Sequence, residues 1–301
     1  MSKSEENFAL KVINESLKLP FVKVKRSEFL IKMFGDQISD KNLLLDKGPQ
    51  EFFTKEELDK KAQSRINVIV AQSSSISFAT GIPGGLAMAA TIPADIAQFY
   101  AYSLKLAQEI SYIYGYEDIW NDQDELSEDA KNTLILYLGI MLGVTSAGSA
   151  IRVLSSKLSV QAMKKIPQKA LTKTFYYPII KKVLAVFGTK LTKASFAKGV
   201  SKTIPVVGGV LSGSINYFSM KPMAIRLKNE LGKSVNYNHD ELNRDLKILK
   251  DEDVEIINST SDVENTTDVF EQIEKAHELL AKNMITEEEF NELKKNILSK
   301  I

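Results

Sequence analysis

Cysteine is absent from this 301-residue chain, which excludes disulfides, thiolate zinc sites, iron–sulfur clusters and a cysteine nucleophile. Histidine is scarce: His239 and His277 form no His/His or His/Cys ligand pair at helical spacing, and no metal and no cofactor is expected. No Gly-x-Ser-x-Gly elbow occurs, and Gly232-Lys233-Ser234 lacks the first phosphate-loop glycine because that position is Leu227. Serine hydrolysis and P-loop chemistry therefore drop away. The opening Met1-Ser2-Lys3-Ser4-Glu5-Glu6 lacks the basic-then-apolar layout of a secretion signal. With the missing cysteine, it points to a cytoplasmic protein, peripheral at most to the inner face of the cell membrane.

Long apolar runs are also missing. Residues 66–94 carry no charge, but Gly81-Ile82-Pro83-Gly84-Gly85 interrupts them, whereas a spanning helix needs about 20 unbroken apolar residues. This stretch reads as two buried helices meeting at a glycine-rich turn. Residues 132–151 are uncharged too, yet their strongly apolar part, Leu134 to Val144, has the length of a core helix. A third uncharged stretch, 203–220, opens with Ile204-Pro205-Val206-Val207-Gly208-Gly209 and echoes the first. Proline suits a first helical turn and glycines permit close helix approach. Gly139/Gly143 and Gly209/Gly213 add four-residue spacings of the kind found at tight helix crossings.

Negative charge is missing from a whole third of the chain. Residues 130–229 hold 16 basic side chains and no acidic one, while residues 1–129 hold 14 basic and 20 acidic, and residues 234–301 hold 8 basic and 17 acidic. Segregation of this kind speaks of partners rather than of fold. Lys164, Lys165, Lys169, Lys173, Lys181 and Lys182 are the candidates for binding an anionic surface, with Phe175, Tyr176, Tyr177 and Phe187 available for apolar insertion. Neutralisation within the molecule competes with that reading. Nucleic acid ranks third, since no helix-turn-helix, zinc or RNA-binding signature accompanies the charge.

What is present is helical periodicity. Phe8, Val12, Ile13 and Leu17 define a first helix ending before Pro20, and a second covers Ser27 to Phe34 up to Gly35. Thr54 and Glu57 form a capping box that opens a long helix. A helix from Pro93 to Tyr114, closed by Gly115, places Asp95, Gln98, Tyr102, Lys105 and Glu109 along one face. That polar line is the best candidate for a ligand or acid–base site, but Lys105 and Glu109 also read as a surface ion pair, and Asp95 as a residue favoured by the helix dipole. The expected fold is all-α: a helical domain over 1–233, an acidic linker over 234–267 and a small helical hairpin over 268–301. A hairpin of this size buries little apolar surface and needs a partner.

The run from Thr80 through Gly81, Pro83, Gly84, Gly85, Pro93 and Asp95 to Phe99, followed by Gln108 and Tyr112-Ile113-Tyr114-Gly115-Tyr116, resembles the signature of the EcsC family. Val24-Lys25-Arg26-Ser27-Glu28-Phe29-Leu30 and the Pro205, Gly208, Gly209 turn are similar to its flanking blocks, so the resemblance spans about residues 22–230. Ile273 to Ile297, with Ile285-Thr286-Glu287-Glu288-Glu289-Phe290, resembles the SHOCT module, with Asn283 in place of a turn glycine. The first resemblance carries no settled activity. It implies a membrane context, because the family is named from an operon that encodes an ABC transporter. The second implies a tail for oligomerisation or docking. The expectation is a non-catalytic, membrane-associated protein that self-associates through 268–301 on an anionic surface or a membrane complex such as an ABC transporter. The alternative is an enzyme or small-ligand binder using the Asp95 face.

Overall fold

A computed structural model describes residues 3–75, 94–121, 123, 125–155, 177–201 and 208–251. These residues form α-helices and two short 3-10 turns, with no strand among them, so the fold is all-α. The chain divides into two units, residues 1–250 and residues 251–301, and every helix detailed below belongs to the first apart from its last residue, Asp251. No helix among the described residues is long and apolar enough to cross a membrane.

Helix α1 (Lys3–Leu17) buries Ala9, Val12, Ile13 and Ser16 on one stripe. Helix α2 (Arg26–Phe34) buries Leu30 and Phe34 one turn apart and stops at Gly35, whose N–H is donated to the Ile31 carbonyl. Helix α3 (Lys41–Lys47) is capped by Asp40, which accepts from the Leu43 N–H. Helix α4 (Lys55–Ser75) begins with the expected capping box: Thr54 N–H donates to Glu57, and Glu57 N–H donates back to the Thr54 hydroxyl. Its Leu58, Ala62, Ile66, Ile69, Val70 and Ser73 face inward.

Helix α5 (Ala94–Ile113) is the centre of the bundle, packed by α1, α2 and α4 and by two later helices, α6 (Glu128–Met141) and α9 (Gly208–Leu231), while α7 (Thr145–Ser155) packs on α6. Helix α8 (Tyr177–Ser201) covers α1 and α6. The uncharged stretch 132–151 is shared by α6, which buries Leu134 to Met141, and α7. Ser127 caps α6 by accepting from the Ala130 N–H, and Gly143, at φ 91°, ends it. There Gly143 N–H donates to the Ile140 carbonyl and Val144 N–H to the Gly139 carbonyl, the paired bonds of a Schellman cap. Gly115, at φ 84°, ends α5 by the same device, with Tyr116 N–H reaching back to Ser111.

The glycines at 139 and 143 thus have different jobs. A Cβ on Gly139 would lie 2.4 Å from Val183 of α8 and 3.0 Å from Ala147, so this glycine lets the helices close on each other, whereas Gly143 serves the turn.

The first unit also reaches further than the composition suggested. A 3-10 turn (Gly232–Asn236) leads into α10 (His239–Asp251), which lies inside the stretch expected to be linker. Asn238 caps it, accepting from the Asp240 and Glu241 N–H groups while Glu241 accepts from the Asn238 N–H. Leu242, Asp245 and Leu249 are buried at helical spacing. Asp240 and, in part, Glu241 lie toward solvent while Asp245 faces inward, and the acidic spelling of the region hid this stripe.

Candidate functional site

The polar line on α5 faces protein. Gln98 and Tyr102 are buried, Tyr102 with its ring 4.6 Å from that of Phe21, and Glu109 is 1% exposed. Arg65 of α4 grips both Glu109 oxygens, Nε at 2.5 Å and Nη2 at 2.9 Å, and Lys105 adds a contact at 3.0 Å. Lys105 and Glu109 are therefore part of a buried junction between α4 and α5, and not the surface pair that their spacing suggested. Two cations around one desolvated carboxylate make it an anchor between the helices. Asp95 sits on the first turn of α5, and its side chain lies outside those described.

Next to Glu109 in the chain, Gln108 uses all its hydrogen-bonding capacity. Its amide donates to the Val22 and Leu104 carbonyls, and its oxygen accepts from Val24 N–H and, at 2.7 Å, from the indole of Trp120, the only tryptophan. The acidic loop around Trp120 is tied down here, with Lys23 5.4 Å above the indole. The three tyrosines beyond it divide the work. Tyr112 hydroxyl accepts from Ile119 N–H and bonds Asp118 at 2.9 Å, Tyr114 donates to Asp59 at 2.5 Å, and Tyr116 is buried edge-on against Tyr137. Burial pushes all three phenols up, Tyr116 to about 12, so each is a neutral hydroxyl at physiological pH and not a general base. Arg26 completes this junction by donating to the Tyr116 and Leu45 carbonyls at 2.9 and 2.8 Å. Sequence blocks more than 80 positions apart, around Val24 and around Tyr112, thus meet in one hydrogen-bonded core.

A second cluster gave no sign of itself in the sequence. Arg152 of α7 is 8% exposed and forks onto Asp245 of α10, Nε at 2.8 Å and Nη2 at 2.7 Å, while Nη1 reaches Glu230 of α9 at 2.6 Å. Ser149 and Tyr237 hydroxyls also donate to Asp245, at 2.8 and 2.7 Å. Burial disfavours both charges, but the bonds between them outweigh it, holding the Asp245 carboxyl below its usual range and the Arg152 guanidinium above its own. Gly148 makes room: a Cβ there would lie 2.8 Å from Glu230. This is an ionic clamp that ties α7, α9 and α10 together, with Lys233 as a second cation on Glu230.

An open depression lined by Gln37, Phe53, Glu57, Lys60, Lys61 and Ser64 offers little chemistry, because Glu57 is engaged in the α4 cap and Lys61 donates to the Met33 carbonyl over the Phe34 ring. Among the described residues no group of three metal-ligating side chains occurs, and His239 is exposed at the start of α10. Lys181 and Lys182 lie on the first turns of α8, Lys181 exposed with its ammonium 5.0 Å from the Tyr177 ring. Gly208 and Gly209 are the first residues of α9. Gly81, Pro83, Gly84, Gly85, Pro205, Lys164, Lys165, Lys169 and Lys173 lie outside the described residues.

The fold and these junctions define an all-α protein whose polar clusters hold helices together. Its C-terminal residues 271–298 match the family model SHOCT, described as a short C-terminal domain. No curated protein and no solved structure matches the chain.

Proposed function

We propose that this is a non-catalytic interaction protein which docks on an anionic membrane face, or on a membrane protein complex held there, and self-associates through its C-terminal hairpin. The observation that carries the reading is the stretch 130–229, with sixteen cations and no anion. Arg152 is matched by Glu230 and Asp245, but Lys181 is exposed and rests on an aromatic ring. Each basic residue near an anionic lipid surface contributes about 1 kcal/mol, so four to six facing one way give roughly 4–6 kcal/mol, and apolar insertion adds to it. The EcsC-like reading of residues 22–230 fits such a membrane setting, and the SHOCT match supports a separate role for the tail. The packing of Gln98, Tyr102 and Glu109 against neighbouring helices weighs against a ligand site on that face.

Co-sedimentation tests the docking half. The full chain is expected to bind phosphatidylglycerol vesicles and not phosphatidylcholine vesicles, with binding that weakens as salt shortens the screening length from about 10 Å at 0.1 M. Reversing Lys181 and Lys182 to Glu should reduce it. Equal binding to neutral vesicles, or none while DNA is retained, would discard the membrane reading. Light scattering tests the other half: a chain ending at residue 267 should have a smaller mass in solution than the full chain, and equal masses remove the self-association.

A further inference from the structure

The C-terminal end of α6 carries more positive charge than a helix cap needs. The Schellman turn at Gly143 occupies the Gly139 and Ile140 carbonyls and leaves those of Met141 and Leu142 for outside donors. Two cations from different helices take them: Arg226 of α9 donates to Met141 at 2.9 Å and Lys190 of α8 donates to Leu142 at 3.1 Å. A helix C-terminus offers about half a negative charge, so two full positive charges leave an excess of well over one. Both residues are half-buried, and among the described residues each spends one donor on its carbonyl and keeps others in hand, two on Lys190 and several on Arg226. Among the described residues no carboxylate acts on either group, and residues 130–229 contain no Asp or Glu. Burial and the neighbouring Arg226 push the Lys190 ammonium down to about 8, and burial pushes Arg226 down as well. Beside them, a Cβ on Gly143 would meet nothing within 4 Å among the described residues.

We propose that Lys190 and Arg226 form a binding site for a phosphate group, free or carried by a lipid headgroup, where the middle of α8 and the last turns of α9 meet the C-terminal end of α6. A tetrahedral dianion supplies the charge that the carbonyls cannot. Its oxygens accept from the spare Lys190 and Arg226 donors while the two carbonyls hold those side chains in place. The site stands on side-chain geometry, and it holds whether or not the wider basic stretch docks on a membrane.

The test uses the full chain and a readout specific to Lys190. Near pH 8 its amine is partly neutral and should react readily with an acylating reagent; inorganic phosphate should slow that labelling saturably, because a bound anion holds the ammonium form, whereas chloride at matched ionic strength should not. Calorimetric titration with phosphate should give an affinity that Lys190→Gln and Arg226→Gln each lower by at least about tenfold, and that Lys190→Arg retains. Should a Gln variant fail to fold, labelling of the native chain decides. Protection by phosphatidylglycerol vesicles but not by phosphate assigns the group to a lipid headgroup and upholds the site. Protection by neither, or affinities unchanged in folded variants, overturns it.

Discussion

At the residue scale, the clearest consequence concerns Arg152. Its guanidinium meets two carboxylates contributed by α9 and α10, one of them as a two-pronged fork. Removing one partner of a buried ion pair leaves the other charged and desolvated, at a cost of about 3–5 kcal/mol. Arg152→Met should lower the denaturant midpoint accordingly and raise hydrogen exchange in α10 more than in α5, because Asp245 is the polar anchor of α10. Arg152→Lys keeps the charge but not the fork, and should recover only part of the loss. A midpoint within about 1 kcal/mol of wild type for Arg152→Met would mean that the fork adds little to the hold that Leu242, Leu249 and the Ser149 and Tyr237 hydroxyls have on α10. Gln108 shows the same logic without charge, since its four bonds join the Val22–Val24 segment, α5 and the Trp120 loop at one amide.

At the scale of elements, α6 and α8 approach through the gap left by Gly139. An alanine there must displace Val183, whose branched side chain is stiff, and overpacking of this kind costs typically about 1–3 kcal/mol. Gly139→Ala should therefore destabilise by that amount, and Val183→Ala in the same chain should restore part of it. A double variant no better than the sum of the singles would show that the two do not meet. The four-residue spacing of Gly139 and Gly143 is visible in the sequence, but it does not say that one glycine serves an approach and the other a turn. Caps are legible because they are local. Thr54 with Glu57, and Gly115 after a periodic run, mark helix ends by chemistry confined to a few neighbours. Arg152 and Asp245 are illegible for the opposite reason: 93 positions separate them, and a buried Asp on an acidic amphipathic helix is spelled like an exposed one. The same limit explains Glu109, read as half of a surface pair until Arg65 of another helix is placed against it.

At the scale of the whole molecule, the interior is rich in phenols. Tyr100, Tyr102, Tyr112, Tyr114, Tyr116, Tyr137 and Tyr237 all have their acidities weakened, burial being the leading cause in each. Below about pH 10 these groups are protonated in both the folded and the unfolded chain and do not affect stability. Above it the unfolded chain releases protons that the folded chain keeps, so stability falls by up to about 1.4 kcal/mol per pH unit for each phenol that stays protonated. Lys190 acts the other way. Its folded ammonium is held at about 8, so from there up to its ordinary value of 10.5 the unfolded chain binds the extra proton and stability rises with pH. One lysine cannot offset seven tyrosines. Urea midpoints should therefore climb slightly between about pH 8 and 10 and then drop steeply, and Lys190→Gln should flatten the climb without touching the drop. Tyr100→Phe keeps the ring packed edge-on at 4.5 Å from Phe187 and removes only an ionisable hydroxyl, so it should leave the midpoint at pH 7 nearly unchanged while making the alkaline fall shallower. A fall with the same slope in Tyr100→Phe would show that this phenol already ionises in the folded protein, and that the bundle admits water at the contact between α5 and α8.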